Sequence, residues 1–172
     1  MKGLCILGST GSIGVNTLDV AARHPEKFKI VALSANSQVE RLVEQCKQYQ
    51  PEYAVMANEE SARQLSAILK EKNSSVKVLS GITGLETIAS LEQVDYVMAA
   101  IVGAAGLKPT LAAARTGKRV LLANKEALVM SGQIFMDEVQ KNNAELLPID
   151  SEHNAIFQCM PADYKGLPES GI

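Results

Sequence analysis

Two acidic residues near the carboxyl end of the sequence are spaced to bind a metal ion. Asp150 and Glu152 stand in the stretch LPIDSEHNAIF, directly after an apolar run that predicts a strand. Side chains two residues apart in an extended segment point the same way, so both carboxylates could reach one hard cation, Mg²⁺ or Mn²⁺. General acid–base catalysis and capping of the next helix are the alternatives. We expect His153 to make a local hydrogen bond.

A glycine-rich loop near the amino end could bind phosphate. The stretch ILGSTGSIG places Gly8, Gly11 and Gly14 between the first apolar run and the first helical segment. Glycines at such a junction allow a tight turn and close approach of a pyrophosphate to backbone N–H groups. The helix N-terminus adds partial positive charge, and Thr10 and Ser12 add hydroxyl groups. The loop therefore favours a dinucleotide site over a glycine turn without a ligand.

The end of the second apolar run bears on which dinucleotide is bound. Residues 34–38 contain no Asp or Glu, the residue types that bind the ribose 2′-hydroxyl in NAD-specific domains. The absence of an acid favours NADP, with Ser34, Asn36 and Ser37 as phosphate contacts and Arg41 one turn along. Ser37 could instead form a capping box with Glu40.

Two later segments also follow apolar runs. The small residues of AAIVGAAG (99–106) would let the backbone approach a ring such as nicotinamide, or would serve close helix–strand packing. In ANKEAL (123–128), Asn124 could cap a helix that begins at Lys125, followed by Glu126. A lysine is unfavourable for the helix dipole at that end, which favours a ligand contact over a solvated surface position.

The elements that must position these residues alternate between strand and helix. Helical patterns separate seven apolar runs, and this alternation predicts an α/β doubly wound, mostly parallel sheet of the Rossmann-like class with helices on both faces. We expect helix starts at Asn58 and at a Thr83–Glu86 capping box. Pro109 and Gly117 should mark the start and end of another helix. The seven runs are 3–8, 28–34, 53–56, 76–79, 95–101, 119–123 and 144–149.

Composition excludes several classes of protein. The 172-residue chain has a net charge of −2 and no Trp, so neither nucleic acid binding nor a base-stacking platform is expected. No apolar run approaches the roughly 18 residues of a membrane span, and no room is left for a signal peptide. Three widely spaced cysteines indicate a reduced, cytoplasmic setting.

Four motifs taken together carry a family resemblance. ILGSTGSIG, VMAAIVGAAGL, LLANKEALV and LLPIDSEHNAIFQ resemble, in order, the N-terminal part of 1-deoxy-D-xylulose 5-phosphate reductoisomerases. The resemblance implies a skeletal rearrangement followed by hydride delivery from NADPH, which yields 2-C-methyl-D-erythritol 4-phosphate in non-mevalonate isoprenoid synthesis. It implies NADPH contacts by Thr10, Gly11, Ser12, Ile13, Asn124 and Glu126.

The same resemblance assigns the acidic stretch. Asp150 and Glu152 would ligate a divalent metal, Mg²⁺ or Mn²⁺, while Lys125, Ser151 and Glu152 would contact the sugar-phosphate substrate. Lys125, Asp150 and Glu152 are therefore the expected catalytic residues. The chain departs from the family pattern after the second strand, where Asn36, Ser37 and Gln38 replace a glycine, a basic residue and an asparagine.

The resemblance also implies how the chain is organised. Residues 1–150 would form the NADPH-binding domain, and residues 151–172 would begin a catalytic, metal-binding domain cut short by the chain's end. The complete enzyme would be a cytoplasmic homodimer, and we expect this chain alone to lack turnover. The rival interpretations are another NADP-dependent α/β reductase, such as a semialdehyde dehydrogenase, and a non-catalytic dinucleotide-binding module.

Overall fold

The computed structural model describes residues 1–123 and 125–160, which form one seven-stranded sheet with helices packed on it. The predicted runs all become strands, within one or two residues at most ends. Gly3 to Leu7 of the first strand are all buried, as expected for a parallel strand covered on both faces. The strands are β1 (Lys2–Leu7), β2 (Phe28–Ala35), β3 (Tyr53–Met56), β4 (Lys77–Ser80), β5 (Tyr96–Ala99), β6 (Arg119–Leu122) and β7 (Glu145–Pro148).

Every strand pair in the sheet is parallel, and the strand order is β4-β3-β2-β1-β5-β6-β7. The predicted doubly wound parallel sheet is therefore confirmed. Strands β2, β3 and β4 follow β1 toward one edge of the sheet, and β5, β6 and β7 follow toward the other edge. The order therefore reverses between β1 and β5. Open α/β sheets bind ligands beyond the carboxyl ends of the strands at such a switch point.

The helices divide between the two faces of the sheet. Leu18 and Leu42 pack into the core on one face, which holds the first three helices, and Ile88 and Ala113 pack on the other. A smaller cluster around Phe135 joins the last long helix to its neighbour. The helices are α1 (Ser12–Arg23), α2 (Val39–Tyr49), α3 (Glu59–Glu71), α4 (Gly81–Ala89), α5 (Leu107–Arg115), α6 (Lys125–Lys141) and α7 (Ser151–Cys159), with a 3₁₀ turn at Ala104–Gly106.

Helix boundaries were predicted less well than strands. Asn58 does cap α3, accepting a hydrogen bond from the Ser61 N–H at 2.9 Å, and Gly117 ends the α5 region with φ of 69°. The two predicted capping boxes are wrong. Helix α2 has Gln38 at its N-cap without a side-chain cap bond, so Ser37 does not cap it. Helix α4 begins at Gly81 after Ser80, which places Thr83 inside the helix.

An apolar groove of about 380 Å³ runs along the sheet face beside α1. Tyr96, Leu121 and Leu147 line its floor, and Val20 of α1 lies at its side, half exposed. In the part of the chain that the structure describes, no helix has both the length and the hydrophobicity needed to cross a membrane.

Candidate functional site

The glycine loop joins β1 to α1 at the switch point of the sheet. Gly8 adopts a φ of 88°, and a β-carbon there would lie 2.9 Å from the carbonyl oxygen of Ala100, just after β5. Both the left-handed backbone and the close neighbour therefore require glycine. The Ala100 N–H donates to the Leu7 carbonyl at 3.0 Å, which fixes the two strand ends against each other.

The N-terminus of α1 is open to a ligand. Gly11 is its N-cap and provides no side-chain cap bond, and the first turn contains no acidic residue. The first N–H groups of a helix have no partner within the helix, and Ser12 and Ile13 are exposed. This end of α1 therefore has backbone N–H groups available as hydrogen-bond donors and carries the partial positive charge of the helix dipole. Both features suit the binding of a pyrophosphate.

A buried polar network holds the loop against β2 and α2. The Gly8 N–H donates to the Ser34 hydroxyl at 3.0 Å, and the Ser9 N–H donates to the Ser34 carbonyl at 2.8 Å. Ser34 is 1% exposed, so the expected phosphate contact by its side chain is wrong. The Gln45 side chain makes two more bonds to Ser9. Sequence reasoning missed Gln45, although a glutamine among Leu42, Val43 and Cys46 was a usable signal.

The segment after β2 remains accessible. Asn36, Ser37 and Gln38 are exposed, and the Arg41 guanidinium lies 3.5 Å from the Gln38 side-chain oxygen. The Ser37 carbonyl accepts a bond from the Val39 N–H, while its hydroxyl does not cap α2. The segment has polar donors and one cation at the place where a ribose 2′-phosphate would lie.

The later strand ends meet the glycine loop at one cavity of about 190 Å³. The ends of β5, β6 and β7 each contribute to it, together with the first turn of α1. Its wall therefore combines small apolar side chains with one cation and two carboxylates. The lining residues are Ile13, Ala100, Ile101, Val102, Ala123, Lys125, Glu126 and Asp150.

Lys125 and Glu126 form the first turn of α6. Lys125 is exposed and Glu126 is half-buried, and both border the cavity. The predicted helix start at Lys125 is confirmed. Asn124, the expected cap and cofactor contact, lies outside the described residues.

Asp150 is the N-cap of α7. Its Oδ1 accepts a hydrogen bond from the His153 N–H at 3.0 Å and lies 2.6 Å from His153 Nδ1. These bonds, the backbone one first, lower the pKa of Asp150 below its ordinary value and keep the carboxylate charged. The expected local hydrogen bond of His153 and the capping alternative for Asp150 are thus both present.

The expected extended geometry for the two acids is wrong. Strand β7 ends at Pro148, and Glu152 lies in the first turn of α7, because Asp150 starts a helix there. Glu152 is exposed and accepts a bond from the Ser151 hydroxyl at 3.1 Å. Within residues 1–123 and 125–160, no three His, Cys, Asp or Glu side chains are grouped to bind a metal ion.

The parallel sheet, its switch point and the glycine loop define an α/β protein of the Rossmann-like class. A family model of 1-deoxy-D-xylulose 5-phosphate reductoisomerase matches residues 4–132, three quarters of the chain. The chain belongs to this family.

Known relatives agree with the family match. The chain is 64% identical to the 1-deoxy-D-xylulose 5-phosphate reductoisomerase of Methylococcus capsulatus over 166 residues, which is 96% of this chain and 42% of that protein. It is 60% identical to the enzyme of Nitrosomonas eutropha over 173 residues, again 42% of that protein. The chain therefore spans about 42% of the length of these curated relatives.

Solved structures show the same likeness. A crystal structure of DOX-P reductoisomerase in complex with NADPH, fosmidomycin and magnesium superposes with a TM-score of 0.92 at 48% identity, covering 94% of this chain and 40% of that one. The enzyme from Zymomonas mobilis in complex with NADPH gives a TM-score of 0.89 at 44% identity, covering 94% and 42%.

Proposed function

We propose that this chain is the cofactor-binding part of an NADPH- and divalent-metal-dependent reductoisomerase, an oxidoreductase and isomerase. Its reaction would convert 1-deoxy-D-xylulose 5-phosphate to 2-C-methyl-D-erythritol 4-phosphate in non-mevalonate isoprenoid synthesis. The observation that carries the proposal is the open N-terminus of α1, which lies beside a cavity lined by Lys125, Glu126 and Asp150. Family membership supports it.

The residues of the glycine loop suit the cofactor. The N–H groups of Ser12 and Ile13 would bind the pyrophosphate, because the helix leaves them unpaired. Gly11 would allow close approach, and Thr10, almost fully buried, would fix the loop beneath the phosphates. Asn124 and Glu126 would contact the cofactor from the start of α6. NADPH, when bound, supplies the hydride for the reduction.

Selection of NADPH over NADH would depend on the segment after β2. Asn36, Ser37 and Gln38 are exposed and uncharged, so no carboxylate there repels a 2′-phosphate. Arg41 is exposed beside Gln38 and could turn toward the phosphate. The basic residue that other family members have in this segment would thus be replaced by a cation one turn later.

Asp150 and Glu152 would provide carboxylate ligands for Mg²⁺ or Mn²⁺. Both contacts with His153 use Oδ1 of Asp150, so its Oδ2 can face a cation without loss of the helix cap. The lowered pKa of Asp150 means that no proton has to leave before a cation binds. The metal, when bound, supplies positive charge for the substrate's oxygens. Lys125, Ser151 and Glu152 would contact the sugar phosphate.

The organisation of the whole protein is part of the proposal. Residues 1–150 would be the cofactor domain, and residues 151–172 would begin the catalytic, metal-binding domain. Two carboxylates leave a divalent cation short of ligands, so we expect this chain alone to lack turnover. The complete enzyme would be a cytoplasmic homodimer that acts on a small sugar phosphate, without nucleic acid or membrane partners.

A calorimetric titration of the chain with NADPH and, separately, NADH tests the cofactor assignment. We expect tighter binding of NADPH, because the exposed segment after β2 accepts the extra phosphate. Equal affinity for both dinucleotides would contradict the role of that segment. Absence of binding by either would contradict a complete cofactor site within this chain.

Turnover is tested in the complete enzyme, a longer protein of which this chain would be the cofactor-binding part. Oxidation of NADPH should require both the keto-sugar phosphate and Mg²⁺ or Mn²⁺. Asp150→Asn should weaken metal binding and reduce turnover while NADPH affinity stays close to wild type. Cofactor binding without metal affinity would instead indicate a non-catalytic dinucleotide-binding module.

A further inference from the structure

We infer that Gln45 of α2 is a positioning residue that holds the glycine loop in the form that binds a dinucleotide phosphate. The inference rests on the proposed cofactor site, because the loop would meet the pyrophosphate there. Gln45 is buried, with only 7% of its surface exposed, so it would not touch the cofactor itself. It would act entirely through Ser9.

The side-chain oxygen and nitrogen of Gln45 both form hydrogen bonds with one loop residue, Ser9. Its Oε1 accepts a hydrogen bond from the Ser9 hydroxyl at 2.6 Å, and its Nε2 donates to the Ser9 carbonyl oxygen at 2.9 Å. A carbonyl can only accept, so the Nε2 must face it, and the orientation of the amide is fixed by its partners. The two residues are 36 positions apart in the sequence.

Every polar group of Ser9 is engaged in this arrangement. Its N–H donates to the Ser34 carbonyl at 2.8 Å, and its carbonyl accepts from Gln45. Its hydroxyl lies 2.6 Å from Gln45 Oε1 and 3.1 Å from the Ser34 carbonyl oxygen. Ser9 is fully buried, so none of these groups has water as a substitute. Loss of Gln45 would leave the buried Ser9 carbonyl without its partner and the hydroxyl with only its longer contact to the Ser34 carbonyl, and an unpaired buried polar group is costly.

The position of Ser9 links its pair of hydrogen bonds with Gln45, here called the Gln45 clamp, to the proposed phosphate site. Ser9 stands between Gly8 and Thr10, three residues before the first residue of α1. Glycine-containing backbone loses much conformational entropy when it becomes ordered, so a loop of this composition needs external contacts to stay in one form. The Gln45 clamp and the Ser34 bonds provide those contacts.

Packing alone does not explain a glutamine at this position. Leu42, Val43 and Cys46 of the same helix are buried in the core on that face of the sheet. A methionine would bury similar volume there without any need for hydrogen-bond partners. The polar side chain is therefore explained by the loop that it contacts.

Gln45→Met tests the inference, with Gln48→Met as the matched control because Gln48 is exposed on the same helix. Two properties are measured for each chain: the Kd for NADPH and the hydrogen-exchange rate of the Ser9 amide without ligand. We expect Gln45→Met to raise the Kd about tenfold and the exchange rate of Ser9 by about the same factor, as loss of buried hydrogen bonds implies. The Ile6 amide in β1 should exchange at its wild-type rate, and Gln48→Met should leave both properties unchanged.

Ser9→Ala provides a second variant that deletes the hydroxyl, with its contacts to Gln45 and the Ser34 carbonyl, and keeps the backbone bonds of Ser9. Its effect on Kd should be smaller in the Gln45→Met background than in wild type, because the bond between the Ser9 hydroxyl and Gln45 is already absent there. A Gln45→Met chain with wild-type Kd and wild-type Ser9 exchange overturns the inference. A wild-type chain that does not bind NADPH overturns the proposed cofactor site instead, and the exchange rate of Ser9 then decides whether Gln45 positions the loop.

Discussion

Gly14 lies directly against the backbone of Gly8. A β-carbon on Gly14 would lie 2.4 Å from the Gly8 carbonyl oxygen, whereas real β-carbons essentially never come within 3.0 Å of such a neighbour. A β-carbon on Gly11 would lie 3.5 Å from the same oxygen, an ordinary contact. The three glycines of the loop therefore differ. A side chain at Gly8 or Gly14 would clash with the chain's own backbone, whereas a side chain at Gly11 would not.

Gly14→Ala should destabilise the protein although alanine is the better helix residue. Overpacking of this kind costs about 1–3 kcal/mol, which outweighs a helix-propensity gain of about 1 kcal/mol. Gly132→Ala in α6 is the control, because nothing lies within 4 Å of its β-carbon position. We expect it to raise the free energy of unfolding by about 0.5–1 kcal/mol. Urea unfolding measures both, and a stabilised Gly14→Ala chain would contradict the close approach.

Gly11→Ala should separate ligand binding from folding. Its β-carbon meets no steric obstacle within the chain. Alanine is a poorer N-cap than glycine, but it also reduces the entropy of the unfolded chain, so the midpoint of urea unfolding should stay close to wild type. The added methyl group would still stand in the proposed pyrophosphate site, so NADPH affinity should fall. Loss of stability together with affinity would show that Gly11 serves the fold.

Two substitutions at Asp150 should separate helix capping from metal binding. Asparagine is a good N-cap and can still accept from the His153 N–H, whereas alanine cannot. Asp150→Ala should therefore lower the local stability of α7 by about 1 kcal/mol, seen as faster hydrogen exchange of the His153 amide. Asp150→Asn should keep that protection, while both variants weaken Mg²⁺ binding in the longer protein. Equal loss of protection in both variants would mean that the charge, and not the acceptor, holds the helix start.

Asp95 should contribute to the loss of folding stability at acidic pH. The Gly3 N–H donates to its carboxylate at 2.7 Å and the Lys2 ammonium lies at 3.0 Å, and these contacts lower its pKa below 3.8. A lowered pKa in the folded state means that stability is present above pH 3.8 and is lost as the pH falls through the lowered value.

Urea unfolding from pH 7 to pH 2.5 measures this contribution. Wild type should lose more stability than Asp95→Asn below about pH 4, and the two should change in parallel between pH 5 and pH 7. Because Asp95 is over one third exposed, we expect the difference to stay below about 1 kcal/mol. Parallel curves throughout the acid range would exclude the contribution.

The three cysteines should differ sharply in reactivity. Burial raises the pKa of Cys46 to about 12 and raises the pKa of Cys5 as well, so neither forms thiolate at neutral pH. Cys159 is exposed on α7. A chromogenic disulfide reagent at pH 7.5 should modify one thiol quickly in the native protein, and Cys159→Ser should abolish that phase. Rapid modification of more than one thiol would show that the sheet opens easily.

The sheet could be predicted from the sequence because each of its strands is a short apolar run between turn residues. Helix starts were harder, since the spacing of Ser37 and Glu40 imitates a capping box that the chain does not form. The turn at Gly81, with φ of 67°, starts α4 earlier than the Thr83–Glu86 spacing implied. The first residue of a helix depends on the direction in which the backbone leaves the preceding strand. A local sequence pattern does not specify that direction.

The candidate site was predictable where a motif lies within one loop. The open N-terminus of α1 follows from the glycine spacing, and the convergence of strand ends follows from parallel winding. The helical pattern could have singled out Gln45 as a buried polar residue, but it could not identify the partner, because Ser9 is 36 positions away in the sequence. Asp150 left three interpretations, a metal ligand, a general acid or base, and a helix cap, because the same carboxylate chemistry serves all of them.

The network of Ser9, Ser34 and Gln45 has a consequence for the nascent chain. All three residues are synthesised before β5, β6 and β7 exist. Every hydrogen bond of that network joins the loop after β1 to Ser34 of β2 or to Gln45 of α2. We therefore expect translation to complete the proposed phosphate site first, while Lys125 and Asp150 join it only after the second half of the sheet has emerged from the ribosome.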